Sequence, residues 1–171
     1  MSSPVLEVQD LGCSAGANSV VYGKLALQLF REKHGEKRPI KYTFSDLPSN
    51  DWSLVVQTYM AEPAFQTSQG VFAFAQGADF YMPCAPHNTV HLSLSMISLH
   101  WLSGPPHATD DQSLPLTMNT VPFTLPNEEG VPASVKEAWA TQAHTDLTRF
   151  LALRCGEMVE GGEGIYLMVG G

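Results

Sequence analysis

Residues 5–18 read V-L-E-V-Q-D-L-G-C-S-A-G-A-N, and the rest of the chain is read outward from them. Val5, Leu6 and Val8 belong to an alternating apolar run that stops at Asp10 and passes through Gly12 and Gly16 into helical spacing. That is the pattern of a first strand, a tight turn and the start of a helix. Without a Cβ, Gly12 and Gly16 let the backbone take positive φ and let a ligand approach the main chain. Asp10 offers an acceptor to a cationic group, while the first N–H groups of the helix offer donors to an anionic one. A zwitterionic ligand suits both. D-x-G-x-x-x-G also occurs in ordinary strand-to-helix turns, so the downstream residues have to decide.

Ser19 to His34 carries apolar residues at Val21, Leu25 and Leu29, with Ala26 and Phe30 one position over, and closes at Gly35. This spacing predicts a helix. Pro39 to Asp46 returns to alternation through Ile40, Tyr42 and Phe44 and predicts a second strand, ending in an acid as the first does. In an open parallel sheet, ligands lie outside the carboxyl ends of the strands, and an acid ending the second strand can accept from both hydroxyls of a ribose. Asp46 is the candidate for that role, or else it only opens the turn at 48–50. A short helix over 51–60 behind an Asn50 cap, a strand over 71–75 and a buried strand over 89–95 follow. From Gly104 to Pro132 the chain is proline-rich and without period, an irregular excursion. Ser134 with Glu137 forms a capping-box pattern, and Val135, Trp139, Leu147, Phe150, Leu151, Arg154 and Met158 trace one face of a long helix. Gly161 and Gly162 break it, and 165–169 forms the last strand. The sum is a single domain over 1–171, an open α/β sheet with right-handed crossovers.

Composition narrows the partners. A net charge of −8, from nine Lys and Arg against seventeen Asp and Glu, argues against nucleic acid or an anionic membrane and for a small molecule. A charged fraction of 15% leaves apolar surface for something else to cover. Cys13, Cys84 and Cys155 are odd in number and unrelated in spacing, and neither a signal peptide nor a run of about eighteen apolar residues is present. A soluble, reducing, cytoplasmic setting is expected. Cys84, His87 and His91 lack a fourth zinc ligand, Cys13 lacks a base and orienter, and the G-x-G-x-x-G of a nicotinamide dehydrogenase is missing.

Taken together, D-L-G-C-S-A-G-A-N-S (10–19), S-D-L-P-S-N-D (45–51), A-D-F-Y (78–81), S-L-H-W-L-S (98–103) and the helix leading into V-E-G-G (159–162) resemble the SABATH methyltransferases. These are plant carboxyl and N-methyltransferases acting on salicylate, benzoate, jasmonate and xanthines. The resemblance implies an S-adenosylmethionine site on a class I, Rossmann-like methyltransferase fold with about five mostly parallel strands and helices on both faces. By it, Asp10, Gly12, Cys13 and Asn18 match positions lining the methionine half of the cofactor. Asp46 and Leu47 match those at ribose and adenine, and Asp79 and Phe80 match the adenine pair. His100 and Trp101 match positions beside the methyl acceptor, where the indole N–H can donate to a substrate carboxylate. Two departures are Asp79, commonly Ser in the family, and Ile97, often Tyr. No metal position can be assigned within the 104–132 excursion.

The implied activity is methyl transfer to the carboxylate of a small organic acid. The rival expectation is a non-catalytic module of the same descent that binds S-adenosylmethionine or a protein. The family's N-terminal clamp, α-helical cap and two final strands have no counterpart in this sequence. A homodimer partner, another polypeptide or truncation of a longer protein would each account for the edge that leaves.

Overall fold

The computed structural model describes residues 5–35, 38–104 and 133–168. Five strands, β1 (Leu6–Leu11), β2 (Ile40–Asp46), β3 (Val71–Gly77), β4 (Val90–Met96) and β5 (Met158–Leu167), form one sheet in the order β3-β2-β1-β4-β5. All four pairings are parallel. The order reverses between β1 and β4, the switch point outside which such sheets bind their ligands. The 104–132 excursion lies almost wholly outside the described residues.

The two faces of the sheet differ chemically because the pleat sends alternate residues to opposite sides. Leu6, Val8, Ile40, Tyr42, Phe44, Leu92 and Leu94 form an apolar face covered by α1 (Ala17–His34), α2 (Trp52–Ala61) and Phe65 of a 3-10 turn. Gln9, Ser45, Ser93 and Ser95 are buried on the other face, where α3 (Ala133–Glu157) packs through Phe150 against Tyr166 and Phe80.

Two local expectations are corrected, at the α2 cap and the end of α3, and the buried face of α1 is one that its apolar spacing does not decide. On α1 the buried residues are Ser19, Gly23, Leu27 and Phe30, while Val21, Leu25 and Leu29 are each more than half exposed. The reason is volume: a Cβ on Gly23 would stand 2.7 Å from Phe65 and 2.8 Å from the Tyr42 hydroxyl, so the helix meets the bulky sheet aromatics with its small residues. On α2 the N-cap is Asp51, whose carboxylate accepts from the Leu54 amide at 3.1 Å, and Asn50 is used elsewhere. At the end of α3 the helix passes directly into β5. Gly161, at φ 76°, and Gly162 fall within that strand, where the pairing with β4 shifts register between Val90 and Leu92. No helix among the described residues is long and apolar enough to cross a membrane.

Candidate functional site

The carboxyl ends of β1, β2, β3 and β4 meet on one rim, and the turn after β1 is its centre. Gly12 (φ 79°), Ser14 (φ 49°) and Gly16 (φ 85°) take the left-handed region, which wraps the chain tightly from strand into helix. The amides of Gly12 and Cys13 donate to the Ser45 carbonyl at 2.8 and 3.1 Å, which sews this turn to β2. A Cβ on Gly12 would stand 2.3 Å from the Ser98 hydroxyl oxygen and 3.8 Å from the Phe80 ring, so glycine lets the ends of β3 and β4 close on β1.

Asp46 anchors the turn from the second strand. Its Oδ2 accepts from the Ser14 amide at 2.6 Å and its Oδ1 from the Leu47 amide at 2.8 Å. Each carboxylate oxygen still has a lone pair free for a hydroxyl donor. Leu47 stands exposed beside it. Asn50 donates to the Ser14 carbonyl at 2.7 Å, and the Thr58 hydroxyl donates to the Ala15 carbonyl at 3.0 Å. Asn18 is exposed in the first turn of α1.

Asp10 lies beneath the turn rather than on the rim. It is 2% exposed and accepts from the Tyr42 hydroxyl at 3.3 Å. Burial pushes its carboxyl up to about 6; the Ser19 and Tyr42 hydroxyls oppose the rise and the charge of Asp46 adds to it. Cys13 is buried too, and desolvation, with the charges of Asp10 and Asp46 behind it, pushes its thiol well above the usual range. A thiol held in that state is not a nucleophile.

The far side of the rim is built from β3 and β4. Asp79 is exposed and its Oδ1 accepts from the Tyr81 amide at 2.8 Å, while Phe80 is half-buried with its ring edge-on to Tyr81. The Tyr81 hydroxyl donates to the Trp101 carbonyl at 2.9 Å, and the His100 and Trp101 rings lie 5.2 Å apart. Trp101 is 57% exposed, and burial holds His100 below its usual value. Ile97 takes φ 58°, a strained conformation for a β-branched residue, in the turn that brings the Ser98 hydroxyl to the Gly12 carbonyl at 2.9 Å.

The structure thus brings Gly12, Cys13, Asp46, Leu47, Asp79, Phe80, His100 and Trp101 to one edge of the sheet, with Asn18 at the helix start and Asp10 below. Sequence reasoning missed Ser98, Asn50, Thr58 and Tyr42, which shape the turn without belonging to its pattern. Ser98 and Asn50 were visible only as members of the longer motifs. Two cavities lie away from the rim: one of about 620 Å³ beside Lys33, His34, Asn88 and His91, and one of about 270 Å³ beside Glu7, Lys41, Thr43 and Phe74.

The sequence model described as SAM dependent carboxyl methyltransferase matches residues 1–171. Gibberellic acid methyltransferase 2 of Arabidopsis thaliana is 29% identical, over 96% of this chain and 43% of its own length. A probable 7-methylxanthine methyltransferase of Theobroma cacao is 28% identical over 97% and 46%, and a benzoic/salicylic acid carboxyl methyltransferase of Petunia hybrida is 28% identical over 95% and 46%. The solved structure of loganic acid methyltransferase with SAH superposes with a TM-score of 0.75 at 23% identity, over 95% of this chain and 44% of that one. The chain therefore spans less than half the length of the relatives it matches. With a matching sequence model along its whole length and the parallel sheet of a methyltransferase, this chain belongs to the SAM-dependent carboxyl methyltransferase family, the SABATH enzymes, whose cofactor is S-adenosylmethionine.

Proposed function

We propose that this chain carries the cofactor half of an enzyme that transfers a methyl group from S-adenosylmethionine to the carboxylate of a small organic acid. The observation that carries the reading is the turn itself: left-handed Gly12, Ser14 and Gly16 held open against the Asp46 carboxylate at the switch point of a parallel sheet. Such a cradle fits an adenosyl group. In this reading Asp46 accepts from ribose hydroxyls, Phe80 and Asp79 line the adenine, and the buried Asp10 favours a cation near the turn. When bound, the sulfonium supplies an already activated methyl group.

The chain's residues then have to orient rather than to move protons. A carboxylate acceptor is already ionised at neutral pH and would be ready to receive that methyl group without help from a side chain. No general base is needed, and the rate comes from holding donor and acceptor in line. The indole N–H of Trp101, an exposed residue beyond the end of β4, can orient an acceptor oxygen, with His100 shaping the wall beside it. The wide exposure of Trp101 supports a second reading, a module that binds S-adenosylmethionine without turnover.

Incubation with methyl-labelled cofactor and a panel of aromatic, fatty and isoprenoid acids, with a methylxanthine as nitrogen acceptor, separates these readings. The enzyme forms base-labile methyl esters. A binding module shows saturable heat of binding and no product, and labelled xanthine alone would move the acceptor class to nitrogen. Asp46→Ala should weaken cofactor binding by about tenfold, the loss of one charge-assisted hydrogen bond. Trp101→Phe should instead lower transfer with cofactor affinity kept. Equal loss of cofactor affinity in both variants would contradict these roles.

A further inference from the structure

The second face of the sheet holds a buried ion pair that the reading above does not use. Arg154 is 0% and Glu157 2% exposed, and their Nη2 and Oε1 lie 2.8 Å apart, one helical turn from each other on α3. Removing both ions from water costs more than their mutual attraction returns unless their remaining donors and acceptors find partners. Here the partners converge on one segment. Arg154 Nη1 donates to the Phe80 carbonyl at 2.9 Å and Nη2 to the Met82 carbonyl at 3.1 Å. Glu157 Oε1 accepts from the Cys84 amide at 2.6 Å.

The same pair reaches the centre of the sheet. Gln9 Nε2 donates to Glu157 Oε2 and to the Ser93 hydroxyl, each at 3.1 Å, so β1 and β4 brace the carboxylate from below. The guanidinium also lies 5.1 Å from the centroid of the Phe150 ring, which in turn packs edge-on to Phe80 at 6.0 Å. Main chain and ring of Phe80 are therefore both held from α3.

We infer that Arg154 and Glu157 are positioning residues for the adenine side of the cofactor site: the guanidinium fork across the Phe80 and Met82 carbonyls, and the carboxylate under the Cys84 amide, set Asp79 and Phe80 at the rim. This rests on the assignment of Asp79 and Phe80 to the adenine. Binding of the cofactor product should accordingly depend on a helix that does not touch it. Lysine cannot take the place of Arg154, because a single ammonium keeps the charge opposite Glu157 but lacks the planar fork that spans two carbonyls.

The test is calorimetric titration of the full chain and its Arg154→Lys variant with S-adenosylhomocysteine and with the analogue carrying hypoxanthine in place of adenine. Amide hydrogen exchange over 79–84 and circular dichroism accompany it. In the variant, affinity for S-adenosylhomocysteine falls about tenfold and its preference over the hypoxanthine analogue collapses toward unity. Exchange over 79–84 rises while β1 and β2 stay protected. Glu157→Gln, which keeps an acceptor for Cys84 and a neighbour for Gln9, serves if Arg154→Lys does not fold, and should show the same loss of preference in smaller degree. A folded variant with the parent's preference between the two ligands would overturn the positioning role and leave the cofactor reading standing. A parent chain that binds neither ligand would overturn both.

Discussion

At the scale of single residues, Asp10 shows how a site residue can be named by its pattern and still be misplaced by it. The D-x-G-x-x-x-G spacing locates Asp10 at the end of β1, but the pleat turns its side chain to the apolar face, under α1 and against Tyr42. A carboxyl raised from 3.8 to about 6 is favoured in its protonated form by the fold. Its contribution to stability is therefore full below about pH 4 and is lost as the pH rises through about 6. At about 1.4 kcal/mol per unit, Asp10→Asn should stabilise the free protein at pH 7 by about 2 to 3 kcal/mol in urea unfolding, an advantage that shrinks to nothing near pH 4. It should also weaken cofactor binding, since the charge that burial penalises is the one that favours a cation in the turn. An advantage independent of pH would mean that Asp10 is not held away from water as described. Asp46 was legible in the opposite sense: its place at the end of β2 follows from alternation. Its bond to the Ser14 amide does not, because no local pattern relates residues 32 positions apart.

At the scale of elements, the bounds of β1 to β4 and of the three helices were readable to within about two residues, whereas β5 begins seven residues before the expected strand at 165–169, and the buried face of α1 was not readable. Each strand of a parallel sheet is a short apolar or alternating run ended by a turn, which is a local signal. The face of a helix is decided by what it packs on, which is not local. The strong stripe Val21, Leu25 and Leu29 looks like a core face, yet the helix meets the sheet aromatics Tyr42 and Phe44 with Ser19, Gly23, Leu27 and Phe30. Leu27→Ala should cost about 3 kcal/mol of unfolding free energy, a buried deletion, and Leu25→Ala less than about 0.5. Comparable losses would place both leucines under cover. The passage from α3 straight into β5 was hidden for a related reason. Two glycines normally end a helix, and only the pairing with β4 turns them into an irregularity within a strand.

For the molecule as a whole, an open, mostly parallel α/β sheet was legible from the order of elements, and the family from motifs that follow one another along the sequence. The buried polar layer on the second face was not, because Gln9, Ser93, Arg154 and Glu157 are scattered over about 150 positions and meet only in the fold. Nor was the relation of the rim to the larger cavity, which sits among Lys33, His34 and His91 away from the turn. That separation makes the central claim open to a single experiment. In an isotope-labelled sample titrated with S-adenosylhomocysteine, the amides of Gly12, Ser14, Gly16, Leu47 and Phe80 should shift together along one binding curve, and those of Asn88 and Glu163 should stay in place. Shifts confined to Lys33, His34, Asn88 and Glu163, with the Gly12 to Gly16 turn unmoved, would place the ligand at the wrong end of the sheet and contradict the account.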